Sequence, residues 1–86
     1  MSTVDELKLR VAATVGQTND ALVRLRAVGQ SFDEALNALR FTATGSVHPM
    51  LMDAIVKLEQ ARERVTEAHT LATGAVADAD AWRATA

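Results

Sequence analysis

Apolar residues recur along the first half of the chain at steps that alternate between three and four. The row runs from Val4 to Leu39, with one irregular step between Val11 and Val15. Its members are Val4, Leu7, Val11, Val15, Thr18, Leu22, Leu25, Gly29, Phe32, Leu36 and Leu39. This spacing puts one stripe along a single side of an α-helix and is typical of coiled-coil packing. We therefore predict a first helix over about residues 3–41.

A second row with the same spacing begins at Leu51 and ends at Trp82. Its members are Leu51, Ala54, Leu58, Ala61, Val65, Ala68, Ala72, Ala75, Ala79 and Trp82. Three further apolar residues widen this stripe, namely Ile55, Leu71 and Val76. Most members of the row are alanines, so this helix offers small side chains where the first offers large ones. The row predicts a second helix over about residues 49–83.

Residues with known preferences for helix ends stand where the two rows begin. Thr3 and Glu6 have the spacing of a capping box, in which the threonine side chain accepts a hydrogen bond from the third backbone N–H of the helix. Pro49 suits the first turn of the second helix, where its missing N–H costs nothing. Both helix starts are therefore encoded locally.

The segment over about residues 42–48 separates the two rows and predicts a short turn. Gly45 can end a helix, and Ser46 or His48 would then lie near the N-cap of the next. Two helices of similar length joined by a short turn predict an all-α, antiparallel two-helix hairpin, with residues 1–86 as one domain. Each helix would be roughly 50–57 Å long.

A repeated sequence inside the first helix permits a different architecture. Val15-Gly16-Gln17-Thr18 and Val28-Gly29-Gln30-Ser31 are near-copies, and Ser31 with Glu34 forms a second capping-box pattern. Gly29 could then end one helix and Ser31 begin another, which would give a compact bundle of shorter helices. The apolar row passes through Gly29 without losing phase, and this favours one continuous helix.

The composition indicates that a single hairpin leaves apolar surface uncovered. Hydrophobic residues make up 49% of the 86 residues, and several lie outside both rows. These are Leu9, Val23, Val28, Met50, Met52, Val56 and Val76. A two-helix hairpin is thin and buries one face of each helix, so its stability alone is marginal.

We therefore predict a homodimer, or a heterodimer with a related helical protein, that forms a four-helix bundle; a weakly stable monomer is the alternative. The candidate interface residues are Leu22, Leu25, Phe32, Leu36, Leu39, Met50, Leu51, Met52, Ile55, Leu58, Val65 and Trp82, and the turn residues are Gly45, Ser46, His48 and Pro49. Trp82 has two interpretations, as a lock at the open end of the hairpin or as a contact point for the partner. The methionines at the start of the second helix suit an adaptable interface.

No arrangement of residues in the sequence indicates catalysis. The chain has no cysteine, which excludes disulfides and cysteine-based zinc sites. His48 and His69 are the only histidines, and a straight helix would hold them roughly 30 Å apart, too far to share a metal. Glu59, Glu63 and Glu67 form an acidic row without a histidine partner, which predicts a solvated face. We expect a non-enzyme with no cofactor, metal or small-molecule substrate.

The charge pattern predicts neither nucleic-acid binding nor a membrane span. The net charge is −2, and neither half of the chain carries a basic excess that would follow a phosphate backbone. Three acid-before-base pairs at a spacing of four predict a solvated helix surface: Glu6–Arg10, Asp20–Arg24 and Asp53–Lys57. The acidic start of the sequence does not resemble a Sec signal peptide, and no apolar stretch reaches eighteen residues. We expect a cytoplasmic protein, with export by a route that needs no cleaved signal as the alternative.

Two long amphipathic helices and a glycine-containing turn in a chain of this size resemble the Trp-x-Gly family of type VII secretion substrates and small helical-hairpin proteins of actinobacteria. The resemblance is carried by the turn Thr44-Gly45-Ser46-Val47-His48-Pro49 and the following Leu51, Ala54, Leu58, Ala61 and Ala68. Ala43 stands where the family has tryptophan, and Trp82 follows Asp78, whereas the family's export signal places the aromatic residue before the acid.

The resemblance implies a non-enzymatic hairpin that dimerises, with itself or a sister protein, and is handled by a secretion ATPase. A cytoplasmic coiled-coil scaffold or adaptor, and an antitoxin- or chaperone-like binding module, are the alternatives.

Overall fold

The computed structural model describes residues 3–45 and 48–86 and consists of two α-helices. Helix α1 spans Val4–Ala43 with 40 residues, and helix α2 spans Pro49–Thr85 with 37. The two helices pack against each other along their length, with the start of α1 beside the end of α2. The prediction of an all-α antiparallel hairpin is thus confirmed. Both helices run two residues past their predicted C-terminal ends, while α1 begins one residue later than predicted and α2 begins at Pro49 as predicted.

Helix α1 is continuous through both of its glycines. Gly29 is buried in the contact between the helices, in the place where the apolar row requires a seam residue. A glycine inside a helix costs about 1 kcal/mol relative to alanine, and packing against α2 along the rest of the seam offsets this cost. The chain therefore does not form the alternative structure, in which one helix ends at Gly29 and another begins at Ser31.

The N-terminus of α1 is capped as its sequence predicts. Thr3 has an extended backbone, and its side-chain oxygen accepts a hydrogen bond from the backbone N–H of Glu6 at 3.1 Å. Asp5 and Glu6 add negative charge to the first turn, where the helix dipole is positive.

Replacing Thr3 with alanine should therefore destabilise the hairpin by about 1 kcal/mol, because one backbone N–H loses its partner. Urea denaturation followed by circular dichroism measures this loss. Thr3→Ser is the matched control and should retain most of the stability, since serine keeps the accepting oxygen. Equal losses in both variants would show that the hydroxyl oxygen does not cap the helix.

The end of α1 differs from the expected glycine stop. Gly45 does not have a positive φ, so it does not form the left-handed cap that glycine usually provides. Instead, the backbone N–H of Thr44 donates to the carbonyls of Arg40 and Phe41 at 3.1 and 3.4 Å, and the Thr44 hydroxyl donates to Phe41 at 2.6 Å. A tightened last turn with an added hydroxyl thus satisfies the carbonyls of Arg40 and Phe41 near the end of α1.

His48 and Pro49 start α2. The Nδ1 atom of His48 accepts a hydrogen bond from the backbone N–H of Met50 at 3.1 Å, which makes His48 the N-cap, and Pro49 occupies the first turn. Of the two cap residues considered from the sequence, His48 is therefore observed in that role. Ser46 lies outside the described residues.

The core of the hairpin is a narrow seam. Among the described residues, the buried hydrophobic side chains are Val15, Leu36 and Ile55, and the rest of the α1 row is half-buried or lies exposed at its N-terminal end. The α2 row departs from expectation in its C-terminal half. Ala68, Ala75 and Trp82 were expected in the seam but are exposed.

Their neighbours His69, Val76 and Arg83 are half-buried instead. An α-helix with 3.6 residues per turn drifts by about 20° per heptad against a strict seven-residue repeat. The side chains one position later in the sequence therefore face α1 in this half of the helix. His69, which the sequence placed on a helix flank, thus belongs to the seam.

The hairpin is a rod of 65 × 19 × 14 Å with a radius of gyration of 19.3 Å. A compact domain of this length would have a radius of about 12 Å. The accessible surface is 6380 Å², whereas a compact monomer of this mass exposes about 4,900 Å². In the described part of the chain, neither helix is long and apolar enough to cross a lipid bilayer.

Candidate interaction surface

The seam divides the hairpin into two long faces of different chemistry. In α1, the residues just before Leu22, Gly29 and Leu36 project to one side of the seam. Those just after Leu25, Phe32 and Leu39 project to the other, because each step along a helix rotates by about 100°. The first set is Ala21, Val28 and Ala35, and the second is Arg26, Asp33 and Arg40. One side of α1 is thus small and apolar, and the other is charged.

Helix α2 repeats this division. Its central seam row is Leu51, Leu58, Val65, Ala72 and Ala79. The residues three positions further on form one flank, Ala54, Ala61, Ala68, Ala75 and Trp82. The residues four positions further on are Ile55, Arg62, His69, Val76 and Arg83; Arg62 and His69 lie on the opposite side, whereas Ile55 is buried and Val76 lies beside Ala75 in the seam.

Surface grooves show which flanks of the two helices lie together. A groove of about 410 Å³ is lined by Arg26 and Asp33 of α1 and by Arg62 and His69 of α2, so the charged flanks share one face. We call it the polar face. On the other side, one groove of about 380 Å³ joins Val28, Phe32 and Ala35 to Leu58, and another of about 260 Å³ joins Thr14 to Ala75.

We call this second side the apolar face. It comprises Phe32, which lines the larger groove, and the small apolar flanks of the two helices: Ala21, Val28 and Ala35 of α1 and Ala54, Ala61, Ala68, Ala75 and Trp82 of α2.

Arg62 carries the hydrogen bonds of the polar face. Its Nε donates to Asp33 Oδ1 at 2.9 Å across the two helices, and its terminal nitrogen donates to the Thr66 hydroxyl at 2.8 Å. The guanidinium lies flat against Gly29, where an added Cβ would stand only 2.9 Å from one of its nitrogens. The absence of a side chain at Gly29 therefore lets Arg62 reach across to α1.

A second ion pair on the polar face joins Arg40 to Glu59 at 3.6 Å. Both side chains of this pair are half-exposed, and exposed ion pairs contribute about 0–1 kcal/mol. The polar face thus aligns the two helices with weak bonds. In residues 3–45 and 48–86, the three ion pairs at a spacing of four that the sequence predicted are not formed within 4.0 Å.

Asp33→Asn tests how much the polar face contributes to stability. It should lower the free energy of unfolding by less than about 1 kcal/mol, because Asp33 is 52% exposed and Arg62 remains partly solvated. Thermal melting at 10 mM and 500 mM salt measures the loss, which should shrink at high salt. Asp20→Asn is the matched control, an exposed aspartate of α1 without a cross-helix bond among the described residues. A loss above about 2 kcal/mol for Asp33→Asn alone would mean that the Arg62 bond, rather than the seam, holds the hairpin together.

The apolar face exposes two large side chains, Val28 at 43% and Trp82 at 39% exposure. Met50 and Leu71, each 75% exposed, lie on the next row outward along α2. Trp82 thus keeps a substantial open surface at one end of the face.

The interface residues predicted from the sequence fall into three groups. Leu36 and Ile55 are buried between the two helices and belong to the hairpin's own core. The half-buried members of the seam are Leu22, Leu25, Phe32, Leu39, Leu51, Leu58 and Val65. The exposed members are Met50, Met52 and Trp82. Only the second and third groups leave surface that another molecule can contact.

Four basic residues border the apolar face, and the sequence predicted for three of them an ion pair with an acid one turn earlier. Three positions beyond its rows, on the next row outward, lie Arg10 and Arg24 of α1 and Lys57 and Arg64 of α2. We call these four residues the basic rim. All four are exposed, and within the described residues none has a carboxylate within 4.0 Å. The sequence feature that could have predicted the rim is the seven-residue spacing of Lys57 and Arg64 beside the alanine row of α2.

Within residues 3–45 and 48–86, no group of three or more histidine, aspartate or glutamate side chains is arranged to hold a metal ion. No family model, curated protein or solved structure matches this chain.

Proposed function

We propose that this chain is a helical interaction protein, without catalytic activity, whose apolar face packs against another helical protein. The observation that carries the proposal is the apolar face itself, which runs along both helices and includes the exposed Val28 and Trp82. The resemblance to type VII secretion substrates and their partners supports the same role. In that setting the protein works by dimerisation, in the cytoplasm or after export without a cleaved signal.

The surface area of the hairpin supports association. Its 6380 Å² exceeds the surface of a compact monomer by roughly 1,500 Å². A stable protein–protein interface of ordinary size buries about 800 Å² on each partner. One long face of the rod is therefore large enough for a stable complex, and covering it would bring the surface towards that of a compact protein.

The thin core supports association as well. A single hairpin with Val15, Leu36 and Ile55 as its buried hydrophobic side chains gains little from burial. Binding adds stability by mass action, because a partner that binds only the folded hairpin shifts the equilibrium away from the unfolded chain.

Affinity capture of the tagged protein from its native host tests the proposal, with two substitutions as the comparison. Val28→Glu places a charge in the larger groove of the apolar face, where Val28 is 43% exposed, and Leu9→Glu places one on the opposite side, where Leu9 is 71% exposed. We expect the intact chain and Leu9→Glu to recover one stoichiometric helical partner, and Val28→Glu to lose it. Equal recovery with both variants, or none with the intact chain, would contradict the proposal.

Export is tested separately by measuring the protein in culture filtrate of the native host, with and without a functional type VII secretion ATPase. ATPase-dependent release supports the secretion role that the resemblance implies. Retention in the cell with the machinery intact would instead favour a cytoplasmic scaffold or adaptor, with the apolar face still in use.

A further inference from the structure

The basic rim and the apolar face together select a partner by charge. We propose that the apolar face binds a different chain, an amphipathic helix or helical hairpin whose apolar stripe is flanked by acidic residues. This inference rests on the proposed function and adds the chemistry of the partner. The docking site is the groove around Val28 and Phe32, extended along α2 to Trp82.

Most charged residues on the rows of the apolar face are basic. On the rows that form and border this face, the charged residues are Arg10, Arg24, Lys57, Arg64 and Asp78, an excess of three positive charges in a protein of net charge −2. The other ten of the chain's eleven acidic residues lie on other rows. Three of them, Glu6, Asp20 and Asp53, stand one turn before a rim base, on the row behind the rim.

This excess disfavours a second copy of the same chain as the occupant. A twofold pairing through the apolar face would bring two basic rims against each other, with only Asp78 from each copy to compensate. Like charges placed across an interface oppose binding and favour partners of the opposite sign. An acidic flank would instead pair with rim side chains that have no carboxylate partner among the described residues.

The shape of the face favours a helix as the ligand. Two shallow grooves lie between the helices on this face, in a rod 65 Å long and 19 Å wide. Ala61, Ala68 and Ala75 keep the α2 side low, so that a helix backbone can approach closely, while Val28 and Trp82 provide the larger contacts. Amphipathic helices that lie in apolar grooves are a common mode of recognition.

A charge-reversed copy of this chain is the probe for the inference. In the variant Arg10→Glu/Arg24→Glu/Lys57→Glu/Arg64→Glu, the apolar face is unchanged and its rim is acidic. Sedimentation equilibrium at micromolar concentration is measured for the intact chain, for the variant and for their equimolar mixture. We expect the mixture to contain a 1:1 complex of about twice the 9.2 kDa chain mass, bound at least about tenfold more tightly than the intact chain binds itself.

High salt should weaken this complex, because exposed charges are screened at 1 M salt. The matched control reverses four bases that lie off the apolar face, Lys8→Glu/Arg26→Glu/Arg40→Glu/Arg83→Glu, and so has the same net charge. Mixed with the intact chain, it should bind no more tightly than the intact chain binds itself. Circular dichroism checks that each variant is helical, and the double variant Arg24→Glu/Arg64→Glu replaces the fourfold one if the latter is unfolded.

Each remaining outcome overturns the inference. Tight self-association of the intact chain, insensitive to the rim substitutions, would make a second copy the occupant and leave the proposed function standing. Equal binding of the two reversed variants would show that net charge alone drives the contact. Salt-sensitive binding of a DNA duplex to the intact chain, lost on rim reversal, would assign the rim to nucleic acid. A monomer in every mixture, with no captured partner from the host, would remove the inference and the proposed function together.

Discussion

Replacing Leu36 with alanine is expected to lower the free energy of unfolding by about 2–5 kcal/mol, the range found for large-to-small changes in a core. Leu36 is the most buried large side chain among the described residues, at 4% exposure. A protein of this length has a total stability of only about 4–13 kcal/mol. The loss should therefore shift the midpoint of unfolding to a much lower urea concentration. If the total stability is in the lower part of its range, the isolated hairpin should be largely unfolded even without urea.

Leu71→Ala is the matched control, because the same atoms are removed from a side chain that is 75% exposed. It should change stability by less than about 0.5 kcal/mol. Both variants are compared by urea denaturation at a concentration low enough to exclude association. Similar losses at the two sites would mean that the hairpin is not organised around the narrow seam.

The double substitution Gly16→Ala/Gly74→Ala is expected to stabilise the hairpin by about 2 kcal/mol, or about 1 kcal/mol for each residue. Both glycines lie inside helices, and no glycine among the described residues has a positive φ, so alanine fits the backbone. A Cβ added at either site meets no described atom within 4 Å. Thermal melting should show a rise of roughly 8–16 °C.

Gly29→Ala provides the comparison within the same helix. Its new Cβ would stand 2.9 Å from a nitrogen of Arg62, so the guanidinium must move and its bond to Asp33 is weakened. The gain should therefore be smaller than for Gly16→Ala. A larger gain at Gly29 than at Gly16 would show that the close approach of Arg62 does not matter to stability.

The helices and their starts could be predicted because local chemistry encodes them. The spacing of three and four from Val4 to Leu39 needs no knowledge of the partner helix, and the Thr3 hydroxyl acts on its own first turn. The end of α1 was harder to anticipate. Gly45 permits a left-handed cap, but hydrogen bonds from Thr44 satisfy the last carbonyls without one.

The exact seam of α2 could not be predicted from its sequence alone. Both Ala68 and His69 fit an amphipathic stripe, and the choice between them depends on how far the helix drifts as it packs against α1. The same limit applies to Arg62, whose position depends on the space above Gly29. Such choices are set by the partner helix and not by local spacing.

The net charge of each half of the chain did not predict the basic rim. Opposite charges balance along the sequence, and they separate only when the chain forms helices. Arg24 is followed by Arg26, yet the first borders the apolar face and the second lines the polar face. Two residues along a helix are nearly on opposite sides.

Site-specific photo-crosslinking in the native host tests most directly whether the apolar face is covered by another helical protein. A photo-reactive amino acid is placed at Val28 in the larger groove of the apolar face or, as the control, at Leu9. We expect the Val28 position to give one discrete adduct with a helical protein, and the Leu9 position to leave the chain at its own mass of 9.2 kDa. An uncrosslinked chain at both positions, or the same adducts from both, would contradict this account.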